Sequence, residues 1–93
     1  MESLKRAQLI VFGVVQGVGF RKFIERTAKE LNLSGWVRNL SDGTVEINAQ
    51  GPGKALDELF RHVKNGSARS TVFSVHKTHK EPDLELGEFT IIT

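Results

Sequence analysis

The sequence contains no cysteine. That excludes a disulfide framework, a thiolate nucleophile and a cysteine-based zinc site together. It lacks a long apolar run as well: Ala7 to Val15 follows the charged stretch Met1 to Arg6, is too short to span a bilayer and is not followed by a signal-peptide cleavage pattern. The expectation is a cytoplasmic protein without a membrane partner. Charge of one sign is scarce, with 13 Lys plus Arg against 11 Asp plus Glu spread along 93 residues, so no basic stripe for nucleic acid emerges. Repeats and low-complexity linkers are missing, and the length suits one domain, 1–93. Three Asn-x-Ser acceptors, at Asn32, Asn39 and Asn65, carry no meaning without secretion.

What is present alternates between two periods. Ala7 to Val14 is a β-branched and aromatic run of strand length, stopped by the glycine-containing stretch Gly13 to Gly19. From Phe20 the apolar residues Phe20, Phe23, Ile24, Thr27, Ala28 and Leu31 recur at helical spacing until Asn32 to Ser34. A short strand, Gly35 to Arg38, then enters the turn Asn39-Leu40-Ser41-Asp42-Gly43. The returning strand alternates: Val45, Ile47 and Ala49 should meet the core, and Thr44, Glu46, Asn48 and Gln50 should face away. Gly51-Pro52-Gly53 breaks it before a second helical stripe, Ala55 to Val63, closed by Asn65-Gly66. Strands are expected at Thr71 to Lys77 and Phe89 to Ile92. The order βαββαβ plus a short C-terminal strand is the α+β, ferredoxin-like split βαβ sandwich, with two helices on one face of an antiparallel sheet. In that topology the loop after the first strand and the hairpin after the second share one end of the sheet.

The loop Gly13-Val14-Val15-Gln16-Gly17-Val18-Gly19-Phe20-Arg21 therefore sits beside Asn39. Its inner glycines let backbone N–H groups converge, and a helix N-terminus adds unpaired donors and partial positive charge, which suits a phosphate. Arg21 brings a planar, permanently charged fork to the same place. The same residues also serve a tight strand-to-helix turn with a solvated helix cation, and spacing alone leaves both readings open. No Walker lysine follows the glycines, and the third glycine of the dinucleotide fingerprint is missing. For Asn39, the ordinary role at a strand end is to bond its own backbone.

Gly13 to Arg21, together with Gly35-Trp36-Val37-Arg38-Asn39-Leu40-Ser41-Asp42-Gly43-Thr44-Val45 and the following Gly51, resembles the two signatures of the acylphosphatase family. The resemblance extends over essentially the whole chain. It implies hydrolysis of carboxyl phosphates with no metal or other cofactor. The loop Gln16, Gly17, Val18, Gly19, Phe20 and Arg21 would hold the phosphate, Arg21 would bind the phosphoryl group, and Asn39 would orient the attacking water. The implied partner is a small acyl phosphate, with no nucleic acid and no second subunit.

Three rivals are a phosphate-capturing module without turnover, the acylphosphatase-like domain of larger carbamoyl-transfer maturation proteins, and an RNA-binding ferredoxin-like domain, whose basic and aromatic sheet face Thr44, Glu46, Asn48 and Gln50 do not supply. His76 and His79, three apart on a strand, should face opposite ways and so fail as a ligand pair. His62 is expected away from the active end, Asp42 in the turn, and Trp36 with the phenylalanines in the core.

Overall fold

The computed structural model describes residues 3–93; Met1 and Glu2, the start of the charged N-terminal stretch, lie outside the described residues. Elements follow in the order β1 (Leu4–Val14), α1 (Phe20–Glu30), β2 (Ser34–Asn39), β3 (Val45–Pro52), α2 (Gly53–Asn65), β4 (Thr71–Lys80) and β5 (Thr90–Ile91). The strands form one five-stranded sheet in the order β4-β1-β3-β2-β5. The pairs β1/β3, β1/β4 and β2/β3 are antiparallel, as expected. The sheet as a whole is mixed, however, because β5 lies parallel to β2 through Trp36–Thr90 and Val37–Ile91. The chain leaves β4 at the end opposite the β2–β3 hairpin, crosses under the sheet and returns alongside β2 in the same direction. A two-residue strand carries too little pattern to announce its partner.

Both helices lie on one face because each presents one apolar stripe. Phe20, Ile24, Thr27 and Ala28 of α1 and Leu56, Leu59 and Val63 of α2 are buried. They pack against Leu9, Val11, Val37, Val45, Ile47 and Ala49 of the sheet. The Thr27 hydroxyl is satisfied by donating to the Phe23 carbonyl at 2.8 Å. Asn32, at φ 58°, stops α1. The Asn32 amide donates to the Lys29 carbonyl and the Leu33 amide to that of Ala28, while buried Leu33 joins the core, as in a Schellman stop.

The face without helices departs from the simple alternation. The alternation predicts that Glu46, Asn48 and Gln50 face solvent, yet they are only 7, 9 and 4 % exposed, and Thr44 is buried as well. β3 is the middle strand, and long side chains from its neighbours lie over it. Glu46 accepts from Gln8 at 2.6 Å and from Arg38 at 2.7 Å. Asn48 accepts from Arg6 at 3.4 Å. Gln50 is closed by a reciprocal pair with the backbone of Asp83, at 2.9 and 2.7 Å.

Aromatic placement departs too. Phe20 and Phe89 are core residues, but Phe73 is 73 % exposed. It is the extra residue of a bulge on edge strand β4, where the register steps from Phe12–Ser74 to Gly13–Val72. Trp36 is half-buried on the helix-free face, under the Arg38 guanidinium at 5.1 Å from its ring.

Candidate active site

β1 ends, α1 begins and the β2–β3 hairpin turns at the same end of the sheet. The first helical hydrogen bond runs from the Phe23 amide to the Gly19 carbonyl at 3.1 Å, so the amides of Phe20, Arg21 and Lys22 have no partner within the helix. Gly19 occupies the cap position in a left-handed conformation, φ 79° and ψ 13°. It supplies no capping side chain, and no acidic residue stands in the first turn. Gly17 is left-handed too, at φ 73°, and a Cβ at either position would meet nothing within 4 Å. The requirement for glycine here is conformational rather than steric.

These residues line an open pocket of about 330 Å³. Gly17, Gly19, Arg21 and Lys22 present its polar wall, with Val15 and Phe20 beneath and Ile91 of β5 at the side. No carboxylate lines it. Among the described residues Arg21 forms no ion pair, so its charge is uncommitted at the mouth of an unpaired helix N-terminus. Both features favour an anion.

Of the other loop residues singled out in the sequence, Val18 is half-buried and packs against the core. The Gln16 side chain turns toward the hairpin. Its amide nitrogen donates to the Leu40 carbonyl at 2.8 Å and to the Thr44 carbonyl at 2.9 Å. The turn is pinned internally by the Leu40 amide on Thr44, the Gly43 amide on Leu40, and Asp42, whose carboxylate accepts from the Thr44 hydroxyl and amide at 2.6 and 3.0 Å. Those Thr44 contacts, the hydroxyl first, hold the Asp42 carboxyl below its ordinary value. Asp42 thus has the turn role expected of it.

Asn39 is the last residue of β2, opposite Val45. It does not line the Arg21 pocket. Its amide oxygen is buried and, among the described residues, is the one buried side-chain polar atom with no hydrogen-bond partner. Leaving such an atom unpaired costs about 1–3 kcal/mol, the kind of local debt that marks working sites. Sequence reasoning missed the Gln16 bridge, the Lys22 contribution to the pocket and the Ile91 wall. Only the apolar character of the chain's end hinted at the last.

His62 also moves. α2 runs toward the active end, and its final turn sets the His62 ring 6.5 Å from Phe23 in the first turn of α1. His76 and His79 do point to opposite faces: His79 pairs with core-facing Ala7, and His76 lies 5.0 Å from Phe12 on the helix-free side. Among the described residues no group of three or more His, Asp or Glu converges as a metal site, and no helix is long and apolar enough to cross a membrane.

Comparison with known proteins agrees with this fold. The acylphosphatase of Chlorobaculum tepidum is 51 % identical over 89 residues, covering 96 % of this chain and 97 % of that protein. The crystal structure of acylphosphatase from Bacillus subtilis superposes with a TM-score of 0.92 at 42 % identity, over 98 % of this chain and all of the other. Full-length HypF contains a similar unit, with a TM-score of 0.86 at 27 % identity over 100 % of this chain but only 12 % of HypF. The family model for acylphosphatase matches residues 7–91. The chain belongs to the acylphosphatase family and is an enzyme that hydrolyses acyl phosphates.

Proposed function

We propose that the phosphoryl group of the substrate sits in the loop from Gln16 to Arg21, gripped by the Arg21 guanidinium and the backbone amides, while Asn39 orients the attacking water. The observation that carries this reading is the uncommitted Arg21 charge beside the unpaired amides of α1 in a pocket without carboxylates. Position supports the part of Asn39: it ends β2 at the same end of the sheet as the loop, and a side-chain amide can donate to a water oxygen or accept from its hydrogen.

An acyl phosphate is a mixed anhydride with a good leaving group. Water oxygen bonds to phosphorus as the bond to the acyl oxygen breaks, and the departing electron pair leaves as carboxylate. The water's proton passes to a phosphate oxygen, since neither an amide nor a guanidinium serves as a base near neutrality. What remains for the protein is to hold fixed dipoles and charge against the equatorial phosphoryl oxygens. This reading assigns no step to a metal or organic cofactor.

The same proposal takes residues 1–93 as one catalytic unit, working as a monomer in the cytoplasm without nucleic acid. The absence of cysteine and the nearly balanced charge support it. So does the helix-free sheet face, where the Trp36 and Phe12 rings are already covered by Arg38 and His76 and offer no bare platform for bases.

The test is hydrolysis of benzoyl phosphate by wild type, Arg21→Ala and Asn39→Ala, with and without EDTA, after each variant is shown to be folded. Loss of one well-aimed donor should cost about a hundredfold or more in rate. Arg21→Ala should lose both turnover and phosphate affinity, whereas Asn39→Ala should lose kcat far more than affinity. Either variant retaining wild-type kcat would remove that residue from the mechanism.

A further inference from the structure

At the end of the sheet away from Arg21, a second cavity opens between α2 and the strands β1 and β4. Its register fixes the location: Lys5 pairs with Gly51 and Ala7 with His79, at the opposite end of β1 from the phosphate loop. The floor is aliphatic, formed by Leu9, Ala49, Leu56 and Leu59, each 9 % exposed or less. The rim carries the Lys5 and Lys77 ammonium groups and the His79 imidazole, with one carboxylate, Asp57. Among the described residues none of these four rim groups forms an ion pair. The Lys77 ammonium lies over the Phe60 ring, 4.8 Å from its centre, which holds that charge at the mouth beside an aromatic wall.

An apolar floor under a rim of uncommitted positive charge selects a particular chemistry. A hydrated inorganic anion leaves the floor unused, and a neutral hydrocarbon leaves the rim unused. The match is an anion with a short aliphatic tail. Size sets the tail: the cavity holds about 70 Å³, about half of the roughly 150 Å³ that admits benzene, which corresponds to about three carbons. We propose that this cavity binds a short-chain aliphatic carboxylate of butyrate size, with the tail on the Leu9–Leu56 floor and the carboxylate at the Lys5, Lys77 and His79 rim. The site is separate from the phosphate chemistry, although hydrolysis of a short acyl phosphate would release an anion of this class.

The experiment is a 15N-resolved NMR titration with sodium butyrate at constant ionic strength, with saturating inorganic phosphate to occupy the Arg21 pocket. Amides of Leu9, Ala49, Leu56 and Lys77 should shift together while those of Gly17 to Arg21 stay in place. Acetate, two methylenes shorter, should bind roughly tenfold more weakly. Lys77→Glu, an exposed substitution that leaves the floor intact, should weaken butyrate by a comparable factor. Shifts confined to the Gly17–Arg21 loop, no shift at the floor, or undiminished binding by Lys77→Glu would each overturn the assignment.

Discussion

Gln16 and Thr44 are 28 residues apart, yet the Gln16 side-chain amide donates to the Thr44 carbonyl at 2.9 Å and to the Leu40 carbonyl at 2.8 Å. One side chain thus ties the loop between β1 and α1 to the hairpin that follows Asn39. Gln16→Leu removes both donors, while each carbonyl keeps its amide partner within the turn, so stability should fall by about 1–3 kcal/mol for the two bonds lost. If Arg21 grips the phosphate and Asn39 orients the water as proposed, the bridge sets the distance between them, and kcat should fall further than phosphate affinity. Urea unfolding together with kcat and competitive phosphate inhibition separates the two effects. A variant that is less stable but has unchanged kcat would make Gln16 a structural brace only.

Gly19 allows a second test of the loop. Its left-handed backbone and open surroundings mean that Gly19→Ala meets no clash but adopts a conformation costing about 1–2 kcal/mol. The amides of α1's first turn should then swing off the pocket, raising the phosphate inhibition constant several-fold. Gly19→Asn, which tolerates the left-handed region better, should fall between wild type and Gly19→Ala. Equal phosphate affinity in all three proteins would detach the loop conformation from anion binding.

The legibility of this chain divides by range. The switch from period 2 to period 3.6 at Phe20, and again after Gly53, is local, and it places both helices and the shared end of the sheet. The long strands were legible in kind but short in extent: β4 runs on to Lys80 and β1 begins at Leu4, because backbone pairing continues where side-chain alternation has stopped. What escaped reading depends on distant partners. Glu46 looks like a solvent-facing residue until Gln8, 38 residues earlier, is folded beside it. Phe73 looks like a core residue until the bulge turns it out. At the site, Arg21 and Asn39 stand at the expected end through resemblance and topology together. The Gln16 bridge did not emerge, since a glutamine in a glycine-rich loop announces no particular acceptor.

The network over β3 gives a third prediction. The Glu46 carboxylate is 9 % exposed and is paired with Arg38, itself 40 % exposed, at 2.7 Å. Arg38→Ala leaves a buried charge supported only by Gln8, at a cost of about 2 kcal/mol, less than for a fully buried pair because the cation is partly in water. Adding Glu46→Gln should recover part of that loss, since the neutral amide needs no counter-charge. A double-mutant cycle by urea unfolding measures the coupling. If Glu46→Gln recovers nothing in the Arg38→Ala background, charge is not what the pair contributes.

Acid response supplies the last prediction, and its sign follows from Asp42. The Thr44 hydroxyl and amide lower the carboxyl of Asp42 below its ordinary value in the folded chain, so the fold favours the ionised form. That contribution is complete above the unfolded carboxylate value and is lost as pH falls through the lower, folded one. Glu58, lowered by its hydrogen bond to Arg61, acts with the same sign. Stability should therefore decline on the acid side, with the hairpin after Asn39 loosening there. The proposed mechanism calls on no ionising base, so kcat should be level from about pH 5.5 to 8. Asp42→Asn, which retains an acceptor for Thr44, should flatten part of the acid decline in urea midpoint and leave the Glu58 share. A bell-shaped kcat profile centred near neutrality would instead require a histidine in the reaction, and His62, beside Phe23 at the active end, would be the one to substitute first.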